Sequence, residues 1–275
     1  SDAKVAWTRA AELDPTMEGL TAKLERVTEE LPVESKFGKV SQAFFDLRYK
    51  KDLGAGTGVK SRTIGFDFRG VLLQARRKVG SDFAYWPKHK TVVLIYSAES
   101  FRTLRTETPE WVGGQFDGKI RVPLPSVDYD EKTVRAILYY EYTHAIVQDV
   151  GKGHCPLWLN EGLAEYEERT QRQRPLRMLA QAYEGDQLIP FEELSAWFDY
   201  SRSQEEVTLA YEQSYSIVDH LVDRFGFWRV RRILKAIATE QSFQEALEDE
   251  LPLSLAEVLR RWKKSVPTLL RETTS

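Results

Sequence analysis

The order of patterns along the chain predicts an α+β protein whose first half holds a mixed β-sheet and whose second half is helical. Residues 90–97 (KTVVLIYS) form a continuous run of apolar and β-branched side chains, which is typical of a buried strand. Beyond Asp130 the apolar residues recur only at helical spacing. A chain of 275 residues with 42% hydrophobic residues can bury the core of one large domain or two modest ones.

Residues 1–35 are predicted to form a helical hairpin that precedes the main domain. Apolar residues recur at helical spacing over residues 4–31, and Asp14-Pro15 interrupts them, because proline cannot continue the hydrogen-bond ladder of a helix. The string AWTRAAELDP, residues 6–15, resembles the end of a tetratricopeptide repeat. The opening residues read as a helix already under way, so we expect the chain to be part of a longer protein.

Three further patterns are expected to complete the sheet half. Residues 40–49 read as a strand, and residues 66–79 read as a helix with one apolar face. Residues 118–123 (GKIRVP) alternate in polarity and include Pro123, which predicts a strand at the edge of the sheet. A sheet edge is where an extended peptide can pair its backbone with a protein.

The helical half is predicted to begin with a helix over residues 131–149, which completes a sheet subdomain of residues 36–150. A helical subdomain of residues 151–265 follows, and Gly226 is expected to end its longest helix. Its predicted helices cover residues 157–170, 174–183, 191–198, 205–225, 227–238, 243–248 and 255–264. Residues 266–275 are expected to form a tail.

The composition bears on possible partners. The net charge of -3 and the absence of a long basic block give no indication of a nucleic-acid partner. The locally basic stretch RTQRQRPLR, residues 169–177, is interpreted as a solvated helix end and loop. The single cysteine, Cys155, excludes an internal disulfide. No apolar run approaches the roughly 18 residues of a membrane span, so none is predicted.

The most informative motif is YEYTH at residues 140–144, which differs from the zinc-metallopeptidase signature H-E-x-x-H at its first position. Tyr140 and His144 are four residues apart and share one face of the predicted helix, with Glu141 beside them. In the signature two histidines bind zinc, and the glutamate is the general base for a zinc-bound water. Tyr140 replaces the first histidine, and Glu161 is the candidate for the ligand that must come from elsewhere.

A second string, NEGLAEY at residues 160–166, resembles the third-ligand segment of the gluzincins, metallopeptidases that use two histidines and a glutamate. Residues 36–265 together resemble a gluzincin-type peptidase-MA-like domain, of the kind found beside tetratricopeptide repeats. The resemblance implies a zincin-like fold, zinc held by His144 and Glu161, and a peptide or protein as substrate or ligand. It also implies that Glu165 orients the first ligand, and it favours a periplasmic or extracytoplasmic bacterial location.

A third string, AYEQSYSIV at residues 210–218, resembles the helix of gluzincin aminopeptidases that carries an oxyanion-stabilising tyrosine. The match implies that the phenol of Tyr211 donates to the tetrahedral intermediate, with Tyr215, one helical turn further on, as the alternative. We therefore expect the hydroxyl of Tyr211 to face the metal position.

Tyr140 decides how the metal site is interpreted. A phenol has a reference pKa of about 10, so a metal must deprotonate it before it can serve as a ligand. We expect zinc to be held poorly, and the phenol to hydrogen-bond to Glu161 or Glu165 instead. The alternatives are ligation by the tyrosine or completion of the site by another residue, and His154 and Cys155 lie in the loop between the two site helices.

Two functions follow, and whether the protein is an enzyme stays open. The first is a zinc-metallopeptidase-like domain for peptide-bond hydrolysis, with Glu141 as the base and a degenerate metal site that weakens or abolishes activity. The alternative is a non-catalytic pseudopeptidase that binds protein. The motif spacing predicts that Tyr140, Glu141, His144 and Glu161 converge on one cleft.

Overall fold

A computed structural model describes residues 8–9, 20–50, 61–104, 114–124 and 131–274. Within these residues one five-stranded mixed sheet is followed by a largely helical second half, which confirms the α+β prediction. The strand order is β1-β2-β3-β5-β4, with β1–β2 and β4–β5 antiparallel and the two central pairs parallel. The strands are β1 (Phe37–Ser41), β2 (Phe45–Lys50), β3 (Thr91–Ser97), β4 (Gln115–Phe116) and β5 (Ile120–Leu124).

Helices pack around this sheet and form the second half of the chain. In chain order they are α1 (Leu20–Glu34), α2 (Ser61–Phe83), α3 (Ala98–Leu104), α4 (Glu131–Gly151), α5 (Leu157–Arg169), α6 (Arg177–Glu184), a 3-10 helix (Phe191–Trp197), α7 (Gln204–Phe225), α8 (Phe227–Ile237), α9 (Phe243–Glu250) and α10 (Leu255–Thr274). None of the helices in the part of the chain that the structure describes is long and apolar enough to cross a membrane.

The sequence predictions for the sheet half need two corrections. Residues 40–49 do not form one strand, because the chain turns between β1 and β2 and the amide of Gln42 bonds to the carbonyl of Phe45 at 2.8 Å. The strand that contains Pro123 is not the edge strand, since β5 lies between β3 and β4. Proline is tolerated there because β4 pairs only with Ile120 and Arg121.

The two ends of the chain also bear on the predictions. Residues 1–7 and 10–19 of the predicted N-terminal hairpin lie outside the described residues, and α1 is the main described part of it. At the other end, α10 continues through Pro267 to Thr274, so residues 266–274 are helical where a tail was expected. The helix continues because Trp262 and Val266 extend its buried stripe.

The helices that carry the motifs are held tightly in the core. Helix α4 is buried over most of its length, because it packs against the sheet and against α2, α5 and α8. Helix α5 packs so closely on α7 that a Cβ atom at Gly162 would lie 2.6 Å from the carbonyl oxygen of Ser214. Helix α7 begins at a capping box of Ser203 and Glu206 and ends at Gly226, as the sequence predicted.

Candidate active-site cleft

Helices α4 and α5 bring the signature residues together. Tyr140 and His144 lie one turn apart on α4, with their rings edge to face and 4.7 Å between centroids. The hydroxyl of Tyr140 donates a hydrogen bond to Oε2 of Glu161 on α5. The same oxygen lies 3.6 Å from Nε2 of His144. The Tyr140 phenol therefore lies against the carboxylate that the sequence assigned as a zinc ligand.

His144 is oriented by a residue that the sequence analysis did not single out. Its Nδ1 lies 3.0 Å from Oδ1 of Asn160, the residue that precedes Glu161. With the amide oxygen as acceptor, Nδ1 carries the proton, and Nε2 is the ring nitrogen that faces Glu161. A metal-binding histidine is commonly held in this way by a hydrogen bond to its other ring nitrogen.

Glu141 is buried beside this group. Its side chain is only 1% exposed, and its Oε2 has no hydrogen-bond partner among the described residues. Burial raises the pKa of Glu141 well above its ordinary value, and the nearby charge of Glu161 raises it further. The backbone of Gly114 approaches so closely that a Cβ atom there would lie 2.5 Å from Oε1 of Glu141.

Of the two candidate tyrosines on α7, Tyr211 lines the cleft. It packs edge to face on Phe198, with 4.9 Å between the ring centroids. Burial raises the pKa of Tyr211 well above its ordinary value, and so does the neighbouring charge of Glu161. Tyr215 is buried away from the cleft, where the guanidinium of Arg169 lies 4.5 Å above its ring.

Glu165 lies one turn beyond Glu161 on α5, and arginines occupy both of its oxygens. Nε of Arg169 donates to Oε2 at 3.0 Å, and Nη2 of Arg174 donates to Oε1 at 2.7 Å. The guanidinium of Arg169 also bonds to the carbonyl of Arg174 at 2.7 Å. Most of the stretch 169–177 is an exposed helix end and loop, as predicted, but Arg169 is buried and both arginines contribute to the wall of the cleft.

The cleft has two adjoining compartments that share Gly114, Tyr140, Glu141 and Tyr211. The first, here called the acidic compartment, has a volume of about 500 Å³ and is also lined by His144, Asn160, Glu161, Asp117, Phe116, Leu157 and Tyr200. The second, here called the arginine compartment, has a volume of about 350 Å³ and is also lined by Glu165, Glu168, Arg169, Arg172 and Arg174.

The acidic compartment does not fit a three-ligand zinc site. Within the described residues no group of three or more His, Cys, Asp or Glu side chains is placed to hold a metal ion. His144 and Glu161 are the two ordinary ligands, and burial raises the pKa of Tyr140 well above its ordinary value, which opposes a phenolate ligand. His154 and Cys155 are not among the residues that line the compartment.

The remaining site residues carried weak sequence signals. Asn160 could be inferred from its place directly before Glu161 in the NEG string. Arg174 and Tyr200 could not, because each reaches the cleft from a loop that follows a helix. Their positions depend on tertiary packing, which leaves no periodic pattern in the sequence.

Comparison with known proteins identifies one family. Residues 87–268, about two thirds of the chain, match the family model described as the Peptidase MA superfamily. Searches of curated proteins and of solved structures find no match. The matched range includes α4, α5 and α7, which carry all the residues proposed from the sequence for the site.

Proposed function

The chain belongs to the peptidase MA superfamily, and we propose that its cleft binds an extended segment of a peptide or protein without cleaving it by zinc chemistry. In this proposal the domain is a pseudopeptidase. The observation that carries the proposal is the hydrogen bond from Tyr140 to Glu161. It engages the candidate ligand carboxylate with a neutral phenol, in a family that generally depends on zinc.

The position of the sheet supports peptide binding. Strand β4 is the last strand of the sheet and precedes α4 in the chain, and its residue Phe116 lines the acidic compartment. An extended peptide can add its backbone to such an edge and place alternate side chains into neighbouring pockets. Gly114 supports this route, because its missing side chain lets the backbone lie against Glu141.

Zinc titration and a hydrolysis assay on the natural protein test the proposal. We expect isothermal titration with zinc chloride to show no tight stoichiometric site, and a quenched fluorescent peptide library to remain uncleaved. Pull-down of the intact peptide library, followed by mass spectrometry, is expected to recover bound peptides. Stoichiometric zinc binding together with cleavage would refute the proposal. Failure to retain any peptide would refute the claim that the cleft binds peptides.

Residual zinc-dependent hydrolysis is the second candidate, and Glu141 favours it. A buried carboxylate oxygen without a partner is costly to retain, and in a metallopeptidase this group would accept a proton from water. If zinc-dependent cleavage is found, Glu141→Gln should abolish it while leaving zinc affinity within about threefold, since Glu141 is not a candidate ligand. Cleavage that survives this substitution would come from a contaminant.

A further inference from the structure

We infer that the acidic compartment receives a primary ammonium group of the bound peptide, held between Glu141 and Glu161. The inference rests on the proposed function, because it names the chemistry of the peptide that the cleft takes. The ammonium would come from a lysine side chain or from the peptide's N-terminus. Both sources present the same compact cation with three N–H donors.

The first argument is the charge balance of the compartment. Glu141 and Glu161 are two carboxylates that line the same compartment. Within the described residues neither carboxylate forms an ion pair with lysine or arginine. The basic side chain nearest to Glu161 is that of His144. The third carboxylate, Asp117, is already paired with Arg121. A buried carboxylate beside a partly buried one, without a lysine or arginine partner, favours a ligand that brings a cation.

The second argument is the unsatisfied oxygen of Glu141. Oε2 belongs to a side chain that is 1% exposed, and it has no partner among the described residues. Glu141 lines both compartments, so its side chain borders the space that a ligand would enter. An ammonium can donate to this oxygen and, with a second N–H, to Glu161.

The third argument is the surface around these carboxylates. The rings of Tyr140, Tyr200 and Tyr211 line the compartment, and aromatic rings attract cations to their faces. Leu157 and Tyr200 are 40% and 45% exposed, which is high for apolar side chains on a cleft wall. The aliphatic stem of a lysine can pack on such side chains while its charged end reaches the carboxylates.

The test uses matched peptides and isothermal titration. The probes are acetyl-Ala-Ala-Lys-Ala-Ala-amide, the same peptide with norleucine in place of lysine, and the norleucine peptide with a free N-terminus. Norleucine keeps the stem and removes the cation. We expect the lysine peptide or the free-amine peptide to bind at least about tenfold more tightly than the acetylated norleucine peptide, as for other charged hydrogen bonds. Whichever of the two binds identifies the source of the ammonium.

Two variants locate the effect. Glu141→Gln should remove most of the preference for the amine-bearing peptide, because the neutral amide no longer attracts the cation. Glu131→Gln is the matched control on the same helix, where the side chain is 72% exposed and outside both compartments, and should leave the preference unchanged. Equal loss in both variants would assign the preference to long-range charge and overturn the inference.

The outcomes separate this inference from the proposed function. Equal affinity for the lysine and the acetylated norleucine peptides overturns the ammonium site and leaves peptide binding intact. If none of the peptides binds, n-butylammonium is titrated and followed by amide chemical shifts. Shifts that depend on Glu141 would uphold the ammonium site and refute peptide binding, and their absence would refute both.

Discussion

Glu161 and Glu165 lie one turn apart on the same helix, and their surroundings differ. Glu165 receives charged hydrogen bonds from Arg169 at 3.0 Å and from Arg174 at 2.7 Å. Glu161 receives a hydrogen bond from the neutral phenol of Tyr140, and the nearest basic group is the imidazole of His144 at 3.6 Å.

The difference separates a structural carboxylate from one that can serve a ligand. The charge of Glu165 is balanced within the protein, so the arginine compartment needs no exogenous cation. Within the described part of the chain no lysine or arginine pairs with Glu161, and Oε2 of the neighbouring Glu141 has no hydrogen-bond partner there. The resemblance implied that Glu165 orients the first metal ligand. Its arginine partners support a role in holding the wall of the cleft.

The largest expected effect comes from Tyr140→His, because the new histidine completes a three-ligand metal site with His144 and Glu161. Zinc affinity should rise at least about a hundredfold, because one ligand supplies roughly a quarter of the ~10–16 kcal/mol available from a four-ligand site. Isothermal titration with zinc measures the change. His144→Ala added to this variant should remove the gain, and an unchanged affinity would mean that the site has diverged at more than one residue.

The next largest effect is expected on stability at Glu165. Glu165→Gln should lower the free energy of unfolding by about 2–4 kcal/mol, because it leaves the buried guanidinium of Arg169 without its ion-pair partner. Arg174, whose side chain is 45% exposed, contributes less because water screens it. Glu161→Gln should leave stability within about 1 kcal/mol of wild type, since it removes an uncompensated charge. Urea unfolding measures the loss of stability in both variants. Equal losses would contradict the distinction between a paired Glu165 and an unpaired Glu161.

A third carboxylate of α5, that of Glu167, extends the comparison to the pH dependence of stability. Burial raises the pKa of Glu167 from 4.5 to about 8, although Lys78 lies 3.3 Å away. The folded protein therefore holds a proton that the unfolded chain releases above about pH 4.5, and stability falls as pH rises from there to about 8. Glu167→Gln should flatten this fall by about 3 kcal/mol, measured as the difference between the two proteins in urea unfolding at pH 5 and pH 8. Parallel pH profiles would contradict the assignment.

The smallest effect is expected from Tyr140→Phe, which removes the hydrogen bond that Glu161 accepts from this phenol. The free energy of unfolding should fall by about 1 kcal/mol or less, because water can replace the phenol in the cleft. Chemical denaturation of this variant and of Glu165→Gln under the same conditions measures the two losses of stability on one scale. A loss as large as that of Glu165→Gln would show that the phenol supports Glu161 as strongly as two arginines support Glu165.

The parts of the molecule that could be predicted from sequence are those set by local spacing. The buried run at residues 90–97 and the periodic segment at residues 131–149 correspond to β3 and α4. The proximity of Tyr140, His144 and Glu161 was also expected, because the motifs place them on two consecutive helices. In these cases the spacing of residues within one helix or strand is enough to predict where each side chain lies.

The features that the sequence could not predict depend on contacts between residues that have no regular spacing along the chain. The contact between Glu165 and Arg174 was not predicted, because Arg174 lies beyond the end of α5, where helical spacing no longer applies. The turn between β1 and β2 contains no glycine or proline, so residues 40–49 resembled a single strand. The helix over residues 266–274 was not predicted; it contains Pro267 and is held by the packing of Val266.

The contact at Gly162 has a consequence for how the cleft can open. With no room between α5 and the backbone of Ser214, we expect these two helices to move together and to carry Glu161 and Tyr211 with them. A peptide that needs a wider cleft must gain the space from the opposite wall, at Gly114 and β4. Shear of the sheet edge against a stationary helical pair is therefore the motion by which this cleft would admit and release its ligand.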